Sequence, residues 1–192
     1  MSSSLPRRPT RLALAVLAFS LVSSALIGIT LILLGDFDET EIRVIATAGS
    51  IAGCSILALP SLFHFERARY KYLTWLGIPS TVALLIMVLF GIWCGNVLIG
   101  EMFWKTLASV GVIAFATNHA LLLLIPTTTK ILISLCQWAT ILIIAIVCVL
   151  ILGIIWTEEM PDMMMRLFGA LGVLDALGTV LVPILVKILR PR

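Results

Sequence analysis

Charge is scarce in this chain. Asp, Glu, Lys and Arg together make up 12% of its 192 residues, where an ordinary soluble domain carries about 25%. The longest polar connection runs only from His64 to Lys71. That excludes a separate soluble module and, with it, the usual housing of catalysis. There is no HExxH, no GxSxG and no phosphate-binding glycine loop. The cysteines, Cys54, Cys94, Cys136 and Cys148, form no CxxC pair and lie beside no histidine. They read as small apolar residues. Basic residues nowhere gather into a patch of nucleic-acid type, so no nucleic-acid partner is expected. No metal site is indicated, and nothing identifies a cofactor. A haem between His64 and His119 is disfavoured because the two differ in depth along their helices.

What fills the chain is apolar. Hydrophobic residues make up 61%, and the mean hydropathy is +1.17. Six apolar runs of about 20 residues or more are each long enough to cross a ~30 Å hydrocarbon layer, where only helices can satisfy the backbone. The fold class read from this is all-α, a polytopic membrane protein with six transmembrane helices. A polar tail at 1–10 precedes one six-helix domain at 11–189. The runs extend over Arg11–Leu34, Ile42–Phe63, Tyr72–Trp93, Trp104–Ile125 and Ile131–Trp156, and after an acidic turn with Glu158, Glu159 and Asp162 a sixth ends near Leu189. The first exceeds the ~7–15 apolar residues of a signal peptide, so it reads as an uncleaved span.

Lysine and arginine set the expected orientation. With the N-terminus inside, Arg7, Arg8, Arg11, Arg67, Arg69, Lys71, Lys130, Lys187, Arg190 and Arg192 all fall on the inner side. Only Arg43, Lys105 and Arg166 fall outside. The expected location is a bacterial inner membrane or its equivalent, with both termini cytoplasmic. Trp75, Trp93, Trp104 and Trp156 sit at span ends as an interfacial belt, with Trp138 deeper.

The three outer cations recur in register. Each precedes a glycine by six residues: Arg43 and Gly49, Lys105 and Gly111, Arg166 and Gly172. Pro60 and Pro183 follow the first and third glycines by eleven. Residues 43–52 (RVIATAGSIA) and 105–114 (KTLASVGVIA) share four of ten identities. Three tandem helical hairpins, at about 11–63, 72–125 and 131–189, are expected with a period near 62. The cations open their helices, so they should pair with Glu39, Glu41, Glu101, Glu159 or Asp162, or else form a positive outer rim that attracts anions. Small residues allow helices to approach closely in a bilayer. Gly49 and Gly53, Gly111, and Gly172 and Ala176 with Gly178 are therefore expected to bring the second, fourth and sixth helices together. Much of the fifth should face lipid. Pro60 and Pro183 should bend their helices and are candidate hinges.

The strongest chemical signal is Asp175, a carboxylate inside the last span. Such residues usually face a bundle interior or cavity. Helical spacing places Thr179 on its face. Asn118, matched to Thr179 by the repeat, with His119 and with Gln137 of the fifth helix, completes an expected intramembrane polar cluster. Two functions fit. One is a non-enzymatic membrane subunit that binds partner helices or lipids, or self-associates. The other is a small proton- or ion-coupled transporter or channel using Asp175 with Asn118 and His119. No catalytic residue is assigned.

Overall fold

The computed structural model describes residues 12, 15–16, 18–19, 22–23, 25–26, 28–30, 38–94, 100–126, 130–158 and 161–188. Its six helices are α1, whose described residues between 12 and 30 are all helical, then α2 (Glu39–Glu66), α3 (Lys71–Cys94), α4 (Glu101–Leu123), α5 (Ile131–Thr157) and α6 (Asp162–Ile188). No strand occurs among the described residues. The five helices from α2 onward are long and apolar enough to cross a membrane. Even the shortest, with 23 residues, extends over about 34 Å at ~1.5 Å per residue. The tail at 1–10, Glu159 and the residues after Ile188 lie outside the described residues.

Acidic residues open two of these helices a turn earlier than the apolar runs indicate. Glu39 and Glu41 stand in the first turn of α2, and Glu101 stands in that of α4. Carboxylates are favoured there because the unpaired N–H groups of a helix start carry partial positive charge. The Glu41 carboxylate also accepts a bond from the backbone N–H of Asp38, at 3.3 Å. The cations therefore sit in second turns and pair one turn back: Arg43 with Glu39 at 2.5 Å, and Lys105 with Glu101 at 2.6 Å. Lys105 also pairs with Glu158, at the end of α5. Arg166 is exposed, and its expected partners, Glu159 and the Asp162 side chain, lie outside the described residues.

A second feature recurs just below these pairs. Trp93 Nε1, at the end of α3, donates to Thr47 Oγ1 of α2 at 3.1 Å. Trp156 Nε1, at the end of α5, donates to Ser109 Oγ of α4, also at 3.1 Å. Both hydroxyls donate in turn to the carbonyl four residues back, Arg43 O and Lys105 O. Each joint ties one helix to the next pair along the chain.

The packing centre is α4, which lies against α2, α3 and α5 and reaches α6 through His119. The expected cluster of the second, fourth and sixth helices is therefore corrected. α2 touches α4, whereas α6 lies against α5 on the far side and shares no packed interface with α2. α5 has an apolar exposed side, with Leu135, Trp138, Leu142 and Val149, but its other side is packed between α4 and α6.

Of the expected glycine stripe only Gly178 lies at a close approach among the described residues, and it meets α5 rather than α2 or α4. A Cβ added at Gly49, Gly53 or Gly172 would meet nothing within 4 Å, and Ala176 is exposed. A Cβ at Gly111 would make ordinary contact with Leu84, at 3.5 Å. The close approaches are at Gly77, where a Cβ would fall 2.2 Å from Ser61 Oγ, and at Gly178, where it would meet the Thr140 Oγ1 at 2.1 Å. In each, a glycine on one helix accepts a hydroxyl-bearing side chain from its neighbour.

Most buried side chains lie toward the C-terminal half of α4, around Leu121 and the cluster of Leu123, Ile144 and Val182. Pro60, Pro79 and Pro183 all lie within helices that continue through them.

Candidate functional site

Successive residues on an α-helix point about 100° apart, and on α4 this separates two polar sites. Asn118 is 1% exposed and points toward α2 and α3. Its Oδ1 accepts from Ser61 Oγ at 2.5 Å. Its Nδ2 donates to Thr81 Oγ1 at 3.0 Å and to the Ala114 carbonyl at 2.8 Å. Three helices thus meet at one amide whose donors and acceptor are used, as a buried polar group requires. The fit of Gly77 against Ser61 lets α3 come close enough for this. Gln137 also serves structure. Its Nε2 donates to the Leu123 and Pro126 carbonyls, at 2.8 and 3.0 Å, and so satisfies the end of α4.

His119 points the other way, toward α5 and α6. Its Nε2 shares a hydrogen bond with Thr179 Oγ1 at 2.9 Å. Asp175 Oδ1 lies 3.6 Å from the same nitrogen, beyond hydrogen-bond reach. The Asp175 side chain is 28% exposed. Its Oδ1 is nevertheless buried and accepts no bond from the described residues. Of the expected polar cluster, then, the fold brings together Asp175, Thr179 and His119. Asn118 and Gln137 are spent elsewhere.

These groups close one end of a groove between α4, α5 and α6, with a cavity of about 420 Å³. Its α4 wall is Ala108, Gly111, Val112, Phe115 and Ala116, and its α5 wall runs from Ile144 through Cys148 to Ile151. Apart from His119, Asp175 and the Cys148 thiol, every lining side chain is apolar. The Phe115 ring lies beside the imidazole, with centroids 5.8 Å apart. Among the described residues no three His, Cys, Asp or Glu side chains gather to share a metal ion.

One buried group was not singled out from the sequence as a site. His64, near the end of α2, is 1% exposed. Its Nε2 lies 3.0 Å from the Leu121 carbonyl, and its ring meets Phe63 and Tyr70 edge to face. Position alone, at the end of an apolar run, could not reveal that the following loop folds over it.

Comparison of the chain with protein-family models, with curated proteins and with solved structures finds no match.

Proposed function

We propose that this chain is an integral membrane subunit without catalytic activity, and that its α4–α5–α6 groove receives a transmembrane helix of a partner. The observation that carries this reading is the buried Asp175 Oδ1, without a hydrogen-bond partner among the described residues, at the end of an otherwise apolar groove. A carboxylate oxygen placed there favours an occupant that is apolar along its length and offers one hydrogen-bond donor. The α4 wall supports a helix. Ala108, Gly111, Val112, Phe115, Ala116 and His119 follow helical spacing over about 16 Å, and the small residues among them permit close approach.

In the same reading the chain crosses the membrane six times with both termini inside. The hairpins are tandem repeats, which the two Trp–hydroxyl joints support: Thr47 and Ser109 stand 62 residues apart, Trp93 and Trp156 stand 63 apart. The equivalent of Thr47 and Ser109 in the third hairpin is Ala170, which has no hydroxyl to offer a further hairpin.

Proton-coupled transport is the second reading, favoured by the His119–Asp175 pair across two helices. The apolar lining of the remaining groove weighs against it, since protons need a continuous set of polar groups or waters. Photo-crosslinking from position 108, at the groove mouth, tests the proposal in native membranes. A crosslink to a second polypeptide that is lost on Asp175→Leu is expected. A crosslink only to α1 of the same chain, or pH-driven flux in proteoliposomes that Asp175→Asn abolishes, would overturn it.

A further inference from the structure

The connection from α2 to α3 is a tight loop over residues 67–70. Ala68 and Tyr70 both lie in the left-handed region, at φ 53° and 49°. Non-glycine residues remain there only when the surroundings hold them. Tyr70 is held against the His64 ring, and the backbone N–H groups of Ala68 and Arg69 donate to the Phe65 and His64 carbonyls.

Held in this way, the loop walls one of two cavities that share lining residues. One, of about 210 Å³, lies at the helix ends, with His64, Arg69, Lys71 and Trp75 in its wall. The other, of about 150 Å³, has an apolar surface and extends along α3 past Ile78 to Pro79. Phe65, Thr74 and Trp75 belong to both. A basic chamber therefore borders an apolar one that extends away from the helix ends. A molecule filling both has an anionic head and a hydrocarbon tail.

His64 refines the head. A carbonyl oxygen only accepts, so the ring nitrogen facing Leu121, Nε2, carries the hydrogen. In the neutral ring Nδ1 is then an acceptor, and it is buried without a partner among the described residues. A bare phosphodiester offers it nothing. A headgroup hydroxyl next to the phosphate does.

We propose that these cavities hold one anionic phospholipid with a hydroxyl-bearing headgroup, of the phosphatidylglycerol type. Arg69 and Lys71 meet its phosphate, His64 Nδ1 accepts from its headgroup hydroxyl, and one acyl chain lies between Trp75, Ile78 and Pro79. The aromatic residues sit where the polar and apolar parts of the lipid join, the usual place of tryptophan at a membrane surface. This site lies on the α2–α3 side and does not depend on the reading of the groove.

Native mass spectrometry of the full-length chain in detergent tests it. The probes are phosphatidylglycerol, phosphatidylcholine, phosphatidylmethanol (an anionic phosphodiester without a headgroup hydroxyl) and inorganic phosphate. Phosphatidylglycerol is expected to bind more tightly than phosphatidylcholine. The exposed double variant Arg69→Gln/Lys71→Gln should weaken it roughly 20-fold, from the loss of two cationic contacts. Phosphatidylmethanol should bind about fivefold more weakly than phosphatidylglycerol, for one lost hydrogen bond. Trp75→Ala should weaken both anionic lipids alike. Equal binding of phosphatidylglycerol and phosphatidylcholine, an unchanged preference in the double variant, or displacement of the lipid by inorganic phosphate would overturn the site. Equal binding of the two anionic lipids would overturn the role of His64.

Discussion

Asn118 and His119 are neighbours in sequence, yet the sites they serve obey different rules. On the α2–α3 side, Asn118, Ser61 and Thr81 are at most 3% exposed and bond one another, and a glycine yields space for the contact. On the α5–α6 side, His119 and Asp175 border a 420 Å³ cavity, and a buried carboxylate oxygen has no bond from the described residues. A polar group whose bonds are all made inside the chain stabilises that chain and has nothing left for a ligand. One left incomplete costs stability and retains the capacity to bind. The difference teaches that burial alone does not separate structure from function in an apolar bundle. The unmade bond does.

The comparison breaks first at Asn118. Asn118→Leu keeps the size of the side chain but removes three hydrogen bonds and strands the Ser61 hydroxyl. A loss of about 2–3 kcal/mol is expected, read as an earlier midpoint when the protein is titrated from mild detergent into dodecyl sulfate. His119→Leu should lose much less. Equal losses at the two positions would mean that His119 is structural as well.

Glycine positions give the next effect. Gly178→Ala would place a Cβ 2.1 Å from Thr140 Oγ1 and 3.0 Å from its Cβ. Rotating the threonine cannot clear its own Cβ, so α5 and α6 must separate, at a cost of about 1–3 kcal/mol. Gly77→Ala meets chiefly the Ser61 hydroxyl, and the double change with Ser61→Ala should recover part of its loss. Gly49→Ala and Gly53→Ala, facing open space, should instead stabilise by about 0.5–1 kcal/mol through helix propensity. Thermal melts in detergent distinguish these signs. Destabilisation at Gly49 or Gly53 would reveal a helix packed on that stripe in the intact assembly.

These positions also mark what the sequence could and could not disclose. The helices were legible because unbroken apolar length depends on nothing but the chain. Asp175, Thr179 and His119 were legible as a group because a carboxylate, a hydroxyl and an imidazole in apolar spans have few places to go. Asn118 and Gln137 belong to the same group by sequence but not in space. The rotation of α4 and α5 about their axes is set by neighbours, and a step of one residue turns a side chain to another partner. Gly77 and Gly178 look no different from Gly49 and Gly53 in sequence. What singles them out is a serine or threonine on a facing helix, known only once the helices are placed. The acids before Arg43 and Lys105 lie outside the apolar runs, whose length marks the hydrocarbon crossing and not the start of the helix.

The two Trp–hydroxyl joints predict a smaller and matched effect. Trp93→Phe and Trp156→Phe each remove one interhelical hydrogen bond, worth about 0.6 kcal/mol in such settings. Near-equal shifts are expected, each abolished when the partner is already Thr47→Ala or Ser109→Ala. Unequal shifts would argue against a repeated joint.

Asp175 should show the least change in stability and the most in binding. Asp175→Leu removes a carboxylate whose Oδ1 has no bond from the described residues and gives an apolar groove an apolar side chain. A partly exposed acid whose nearest partner, His119 Nε2, stands 3.6 Å away adds little stability, so the same dodecyl sulfate titration should show no loss, or a small gain. His119 keeps its bond to Thr179 and needs no rearrangement. If the variant is as stable as wild type and no longer forms the crosslink at position 108, the incomplete bond belongs to the partner. If it unfolds as readily as Asn118→Leu does, Asp175 is bonded within the folded chain after all, and the contrast between the two sides of α4 disappears.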